Sequence, residues 1–210
     1  MYKGTLITIE GIDGAGKSVL LEKLTHQLKA HHFTVVVTKE PGGTNIGKML
    51  KKVLLEEEKA CDPRVEFLLF AADRAEHFQK LVIPALLRGD IVISDRMADS
   101  ALAYQGYGRG VDPHFIKTVN SFAMHGLQPD ITLYLRITPE NAMRRYQKRG
   151  DQSIMEQEGK SFWERVLLGY ETIASENTHR VHVLDATAPA EAVANNAFSI
   201  IQKQLQAKRP

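Results

Sequence analysis

Residues Thr5–Ser18 read TLITIEGIDGAGKS, and this stretch decides the fold. Its first six residues, Thr5–Glu10, are short, β-branched and mostly apolar, as strands covered on both faces tend to be. Gly11-Ile12-Asp13-Gly14-Ala15-Gly16-Lys17-Ser18 then matches G-x-x-x-x-G-K-[ST], and Lys17–His31 reads as a helix. The glycines let successive backbone N–H groups turn inward around phosphate oxygens, and the helix adds its partial positive N-terminus. Lys17 is placed to reach the terminal phosphates, and the Ser18 hydroxyl to ligate Mg²⁺. Four specified positions match by chance in roughly 1% of chains this long. Residues 11–18 are therefore expected to bind a nucleoside triphosphate.

Outward from this loop, Thr34–Thr38, Ile91–Asp95, Ile131–Ile137 and Val181–Leu184 read as further strands. The helical stretches are Ile46–Glu57, Arg64–Arg88, Pro113–His125, Pro139–Arg149, Lys160–Ser175 and Ala190–Gln206. Strands alternating with helices of this length imply an α/β fold, a parallel sheet with helices on both faces. With 210 residues, 43% hydrophobic and 25% charged, the chain suits one domain with one core, spanning 1–210. The polar segment Gly150–Gly159 suggests a lid at about 147–160. A net charge of +2 argues against a dedicated nucleic-acid binder. One cysteine, Cys61, excludes an internal disulfide framework, and the eight histidines show no metal-ligand spacing. No apolar run is long enough to span a membrane, and MYKGTLITIEG enters a strand with no apolar signal segment. A cytoplasmic protein without a membrane partner is the expectation.

In an open α/β sheet, ligands bind outside the carboxyl ends of the strands. Glu10, Glu40 and Asp95 all fall at such ends, and Asp95 suits the acid that orients Mg²⁺ and its water. Arg96 follows at once, beside the expected phosphates. Phe70, Arg74, Tyr104 and Gln105 supply an aromatic face, a guanidinium and a carboxamide, the parts needed to stack a base and read its edge. Phe67, Leu68 and Phe70 at helical spacing also fit a plain core stripe. Arg144, Arg145, Lys148 and Arg149 set like charges at i, i+4, which a bare helix disfavours by roughly 0.2–0.5 kcal/mol per pair. An arriving anion would relieve that repulsion.

Taken together, these residues resemble the bacterial thymidylate kinases over essentially the whole chain. GIDGAGKS at 11–18, KEPGGT at 39–44, FAADRAEH at 70–77, SDRMADSALAYQGYGRG at 94–110, the RG…EQE segment at 149–158 and LDATAPAEAV at 184–193 carry the resemblance, in the right order. It implies a P-loop nucleotide kinase fold, a five-stranded parallel sheet with surrounding helices and a lid, in a homodimer. The implied activity is transfer of the ATP γ-phosphoryl group to dTMP, with Mg²⁺ accompanying ATP, for dTTP synthesis. Position by position, Phe70 would stack on thymine, and Arg74 and Gln105 would read its polar edge. Tyr104 would crowd the sugar 2′ position and Asp13 would sit near the 3′-hydroxyl. Arg96 would hold the acceptor phosphate, with Glu40 and Ser100 around the acceptor, and 184–193 would form the adenine-side loop.

Two positions depart from the family pattern. Met97 stands where an aromatic usually follows the Asp-Arg pair. Ile154 stands where the lid usually supplies an arginine, which leaves Arg149 as the candidate transition-state cation beside Lys17 and Arg96. A kinase for another nucleotide, or a catalytically silent binding protein, are the alternatives. A guanine-reading Asn-Lys-x-Asp sequence, the mark of a GTPase switch, does not occur.

Overall fold

Thr5–Glu10 (β1), Val35–Lys39 (β2), Ile91–Asp95 (β3), Ile131–Arg136 (β4) and Val181–Asp185 (β5) lie parallel in one sheet ordered β2-β3-β1-β4-β5. The computed structural model describes residues 2–56, 61–147 and 158–207. Ile7 of β1 pairs in register with Ile93 on one side and Ile131 on the other. Side chains of β1 alternate between faces: Ile7 and Ile9 enter the larger apolar core, while Leu6 joins Val92, Phe78, Val82 and Leu86 on the other side. Each fully buried side chain of this kind contributes about 1.5–3 kcal/mol, which is why an apolar run without polar alternation settles at the centre of the sheet.

The helices are Lys17–Ala30 (α1), Asn45–Glu56 (α2), Pro63–His77 (α3), Ile83–Arg88 (α4), Ala98–Ala101 (α5), Pro113–Ala123 (α6), Pro139–Gln147 (α7), Lys160–Glu176 (α8) and Ala190–Ala207 (α9). α1 buries Leu20, Leu24 and Leu28, and α9 buries Val193, Ala194, Ala197 and Ile201 in the same core. α3 and α6 both start at proline after an aspartate cap: Asp62 accepts from the Arg64 N–H at 2.8 Å, and Asp112 from the His114 N–H at 3.0 Å.

The structure corrects the expected helix pattern twice. The single helix read over Arg64–Arg88 is interrupted by a π-helical turn at Phe78–Val82. Pro84 has no N–H for the ladder, and the widened turn just before it absorbs the mismatch. Residues Ala98–Gly108, which stand outside the helical stretches expected from sequence, form α5 and a π-helical run, Leu102–Gly108. This run is held by α8 packed against it: a Cβ at Gly108 would lie 2.7 Å from the Phe162 ring, so only glycine admits that approach.

β2 and β3 lie on one side of β1, and β4 and β5 on the other, so the strand order switches direction around β1. The crevice outside the carboxyl end of β1 is where such a sheet binds ligands.

Candidate active site

The chain leaves β1 through Gly11, Gly14 and Gly16, at φ of +136°, +79° and +100°, conformations that side chains disfavour. A Cβ at Gly14 would lie 2.6 Å from the Ala142 carbonyl oxygen of α7. Ile12 and Ala15 bury their side chains in the core, which leaves the backbone to face a ligand. Lys17 Nζ donates to the carbonyls of Gly11 and Ile12, at 3.0 Å each, and lies 3.5 Å from Asp13 Oδ1. Burial disfavours its charge and Arg96 repels it, and together they outweigh Asp13, Asp95 and Glu10, so the Lys17 ammonium is brought down to about 8. Ser18 is exposed on the first turn of α1 and lines the same cleft. Behind the loop, Arg145 donates to the Ala15 carbonyl at 3.2 Å and to the Ala186 carbonyl at 2.5 Å, tying the phosphate loop to the segment after β5.

Arg96 stands at the centre of the cleft, with a positive φ of 69° that is uncommon outside glycine. Its guanidinium donates to Asp13 at 2.5 Å, Ser100 at 3.1 Å, Tyr104 at 3.3 Å and Tyr170 at 3.4 Å, and lies 5.0 Å from the centre of the Tyr104 ring. Although burial pushes the Asp13 carboxyl up, Arg96 and Lys17 overcome it and hold the group at about 2. Beneath Arg96 sits Glu10, fully buried. Its Oε1 accepts the Met97 N–H at 2.8 Å, and its Oε2 accepts from the hydroxyls of Ser100 at 2.5 Å and Tyr170 at 3.2 Å. Glu10 therefore fixes the turn that carries Arg96.

Burial, then repulsion from Asp99, raises the Glu10 carboxyl to about 7, and the Ser100 hydroxyl donor, the charge of Arg96 and the Met97 N–H offset only part of the rise. Unfolded, the group titrates near 4.5. Between those values the folded state holds a proton that the unfolded chain has released, so stability falls as pH rises across the window. The expected loss is on the order of 3 kcal/mol between pH 4.5 and 7. Glu10→Gln keeps the shape and should flatten that slope in urea unfolding at pH 5, 6, 7 and 8. An identical slope in the variant would refute the assignment.

The far end of the cleft holds the base-reading candidates. α3 divides its aromatics: Phe67 is fully buried, while Phe70 is half-buried and lines the cleft. Leu68 is exposed, so the apolar stripe is not a plain core stripe. Arg74, buried, donates through Nε to Glu40 Oε2 at 2.8 Å and through Nη1 to Asn120 Oδ1 at 2.6 Å. The other Glu40 oxygen is bonded to His77 Nδ1 at 2.8 Å, and His77 Nε2 meets the Thr38 hydroxyl at 2.7 Å. Glu40 thus spends one oxygen on Arg74 and the other on His77. Gln105 donates to Glu66 at 2.6 Å, and Glu66 is paired with Arg109 at 2.9 Å. Tyr104 packs edge-on against Trp163 and Tyr170, and burial, first among several causes, raises its hydroxyl well above the usual phenol range.

One cleft of about 530 Å³ brings together Asp13, Gly14, Gly16, Lys17, Ser18, Glu40, Phe70, Arg74, Asp95, Arg96, Ser100, Tyr104 and Gln105. Gly11, Ile12 and Ala15 stand in the loop behind it. Arg149 and Ile154 lie outside the described residues, as does most of the expected lid. Sequence reasoning missed Glu66, His77, Tyr170 and Arg109. The motifs at 70–77 and 94–110 contain His77 and Arg109, but nothing local marks their partners.

Among the described residues, none is hydrogen-bonded to the buried Asp95 Oδ1, which lies in the same cleft as the Ser18 hydroxyl. Such an orphaned oxygen fits a hard cation or its water. Among the described residues, no group of three His, Cys, Asp or Glu could hold a metal by itself. That pattern suits a cation held largely by phosphate oxygens.

A parallel sheet in this order, with a phosphate loop after β1 sharing its cleft with a second set of aromatic and polar side chains, defines a P-loop nucleotide kinase. The family model "Thymidylate kinase" matches residues 9–197. The chain is 39% identical over 204 residues to a thymidylate kinase of Exiguobacterium, covering 97% of this chain and 96% of that one. It is 42% identical to those of Halothermothrix orenii, covering 91% and 93%, and Staphylococcus haemolyticus, covering 93% and 96%. The crystal structure of thymidylate kinase from Ehrlichia chaffeensis superposes with a TM-score of 0.79 at 33% identity, covering 95% of this chain and 98% of that one. The chain belongs to the thymidylate kinase family. Among the described residues, no helix is long and apolar enough to cross a membrane.

Proposed function

We propose that this chain transfers the γ-phosphoryl group of ATP to the 5′-phosphate of dTMP, giving ADP and dTDP for dTTP synthesis in the cytoplasm. The observation that carries this reading is that the phosphate loop and the trio Phe70, Arg74 and Gln105 line a single cleft, with Arg96 between them. The acceptor phosphate already bears a nucleophilic oxygen. It forms a bond to the γ-phosphorus as the bond from that phosphorus to the bridging β,γ-oxygen breaks, so the protein need only align two polyanions and neutralise charge. Lys17 and the loop amides take the ATP phosphates. Arg96, with its planar fork, takes the acceptor phosphate, while Asp13 serves the sugar 3′-hydroxyl. Phe70 stacks on thymine, Arg74 and Gln105 read its edge, and Tyr104 crowds the 2′ position.

Ser18 and Asp95 would hold Mg²⁺, which when bound neutralises phosphate charge. Adenine fits the slot of about 200 Å³ behind the loop, lined by Leu135, Arg145, Ala186, Ala188 and Val193. Arg149 is proposed as the transition-state cation of the lid. A second copy of the chain is proposed to cover the exposed apolar side chains Ile46, Met49 and Val53 of α2, Val65 and Leu68 of α3, and Phe115 and Phe122 of α6. Sedimentation mass checks that pairing.

The direct test is ADP release from Mg-ATP with dTMP, dUMP, dCMP, dGMP or AMP, and with no acceptor. Turnover with dTMP strongly preferred is expected. Turnover with another acceptor preferred, or binding of ATP and dTMP without turnover, would overturn the proposal.

A further inference from the structure

Gln105 is a carboxamide, and the end it turns to the cleft decides what it can read. Its Nε2 donates to Glu66 Oε1 at 2.6 Å. A carboxylate only accepts, so the NH₂ group must face Glu66 and the carbonyl oxygen is the end left over. Among the described residues, nothing donates to that Oε1, and Gln105 lines the cleft. Glu66 is itself anchored: its Oε2 pairs with Arg109 Nε at 2.9 Å. Arg109 in turn lies 5.1 Å from the centre of the Phe162 ring and donates to Glu158 at 2.8 Å.

Arg74 offers only donors, and Glu40 and Asn120 hold its Nε and Nη1. A base in the cleft therefore meets a donor from Arg74 and an acceptor from Gln105. A pyrimidine with a carbonyl at C4 and a hydrogen on N3 matches this polarity. One with an amino group at C4 and a bare N3 presents the reverse. We propose that Glu66 is a specificity-determining positioning residue, which locks the Gln105 amide with its oxygen toward the base and so excludes cytosine. The proposal rests on the reading that dTMP is the acceptor.

Glu66→Gln preserves shape but can both donate and accept, so the two facing amides can pair in either orientation and Gln105 is released to flip. The ratio of kcat/KM for dTMP to that for dCMP should then fall by about tenfold or more. Most of the fall should come from a raised KM for dTMP, with KM for ATP unmoved. Glu66→Asp, which still only accepts, should keep a ratio closer to wild type; it serves alone if Glu66→Gln fails to fold. An unchanged ratio in Glu66→Gln, or one that collapses in Glu66→Asp, overturns the proposal while leaving dTMP as substrate. A wild-type enzyme that does not prefer dTMP overturns both.

Discussion

Replacing Lys17 by methionine is expected to lower kcat by about 10³ while leaving the melting temperature equal or higher. The activity loss follows from geometry. Lys17 is the one cation of the phosphate loop, and its ammonium rests on the Gly11 and Ile12 carbonyls, which under the proposed function it would exchange for phosphate oxygens. The stability gain follows from its titration. Burial, with Arg96 adding repulsion, brings Lys17 from 10.5 to about 8. Between those values the unfolded chain holds a proton that the folded protein has released, so stability rises with pH across the window, and below it the buried charge is a cost. Methionine removes that cost. The same titration predicts that ATP binds the wild-type protein more weakly as pH rises above about 8, where Lys17 loses its charge. Steady-state rates, a melting curve and ATP titrations at pH 7 and 9 check all three. A fall in kcat below tenfold, or a clear drop in melting temperature, would count against this account.

How far the fold was legible in sequence depends on how local its causes are. The phosphate loop could be read outright, because its chemistry sits in eight consecutive residues. The five strands could be read because strands covered on both faces are unbroken apolar runs. β2 shows the limit: it reads as fully covered, yet it is the sheet's edge and Val37 is 45% exposed. The helical run before Gly108 was not legible, because α8 packing against glycines holds it, rather than intrinsic propensity. The trio proposed to read the base was legible as residue types. Its supports were not: Glu66 meets Gln105 across 39 residues, and His77 meets Glu40 across 37. On the sequence alone Glu66 is only one acid on a helix. Glu10 was visible as an acid at a strand end, but its burial beneath Arg96 depends on the whole sheet.

Arg96 is expected to be as indispensable as Lys17, for a different reason. Its guanidinium meets Asp13, Ser100, Tyr104 and Tyr170 at once, so it links the phosphate loop to the Tyr104 side of the cleft. Arg96→Ala should lower kcat/KM for dTMP by about 10³. Arg96→Lys should recover little of it, because a point charge cannot fork between two phosphate oxygens. The backbone supplies a control. At φ +69° a side chain strains the turn, by about 1–2 kcal/mol, and glycine relieves it. Arg96→Gly should therefore melt higher than Arg96→Ala while being equally inactive. That pairing separates the guanidinium from the turn that presents it. If Arg96→Gly retained activity that Arg96→Ala lacked, the turn rather than the charge would be the working part. If both lost less than tenfold, the acceptor phosphate would have to be held elsewhere.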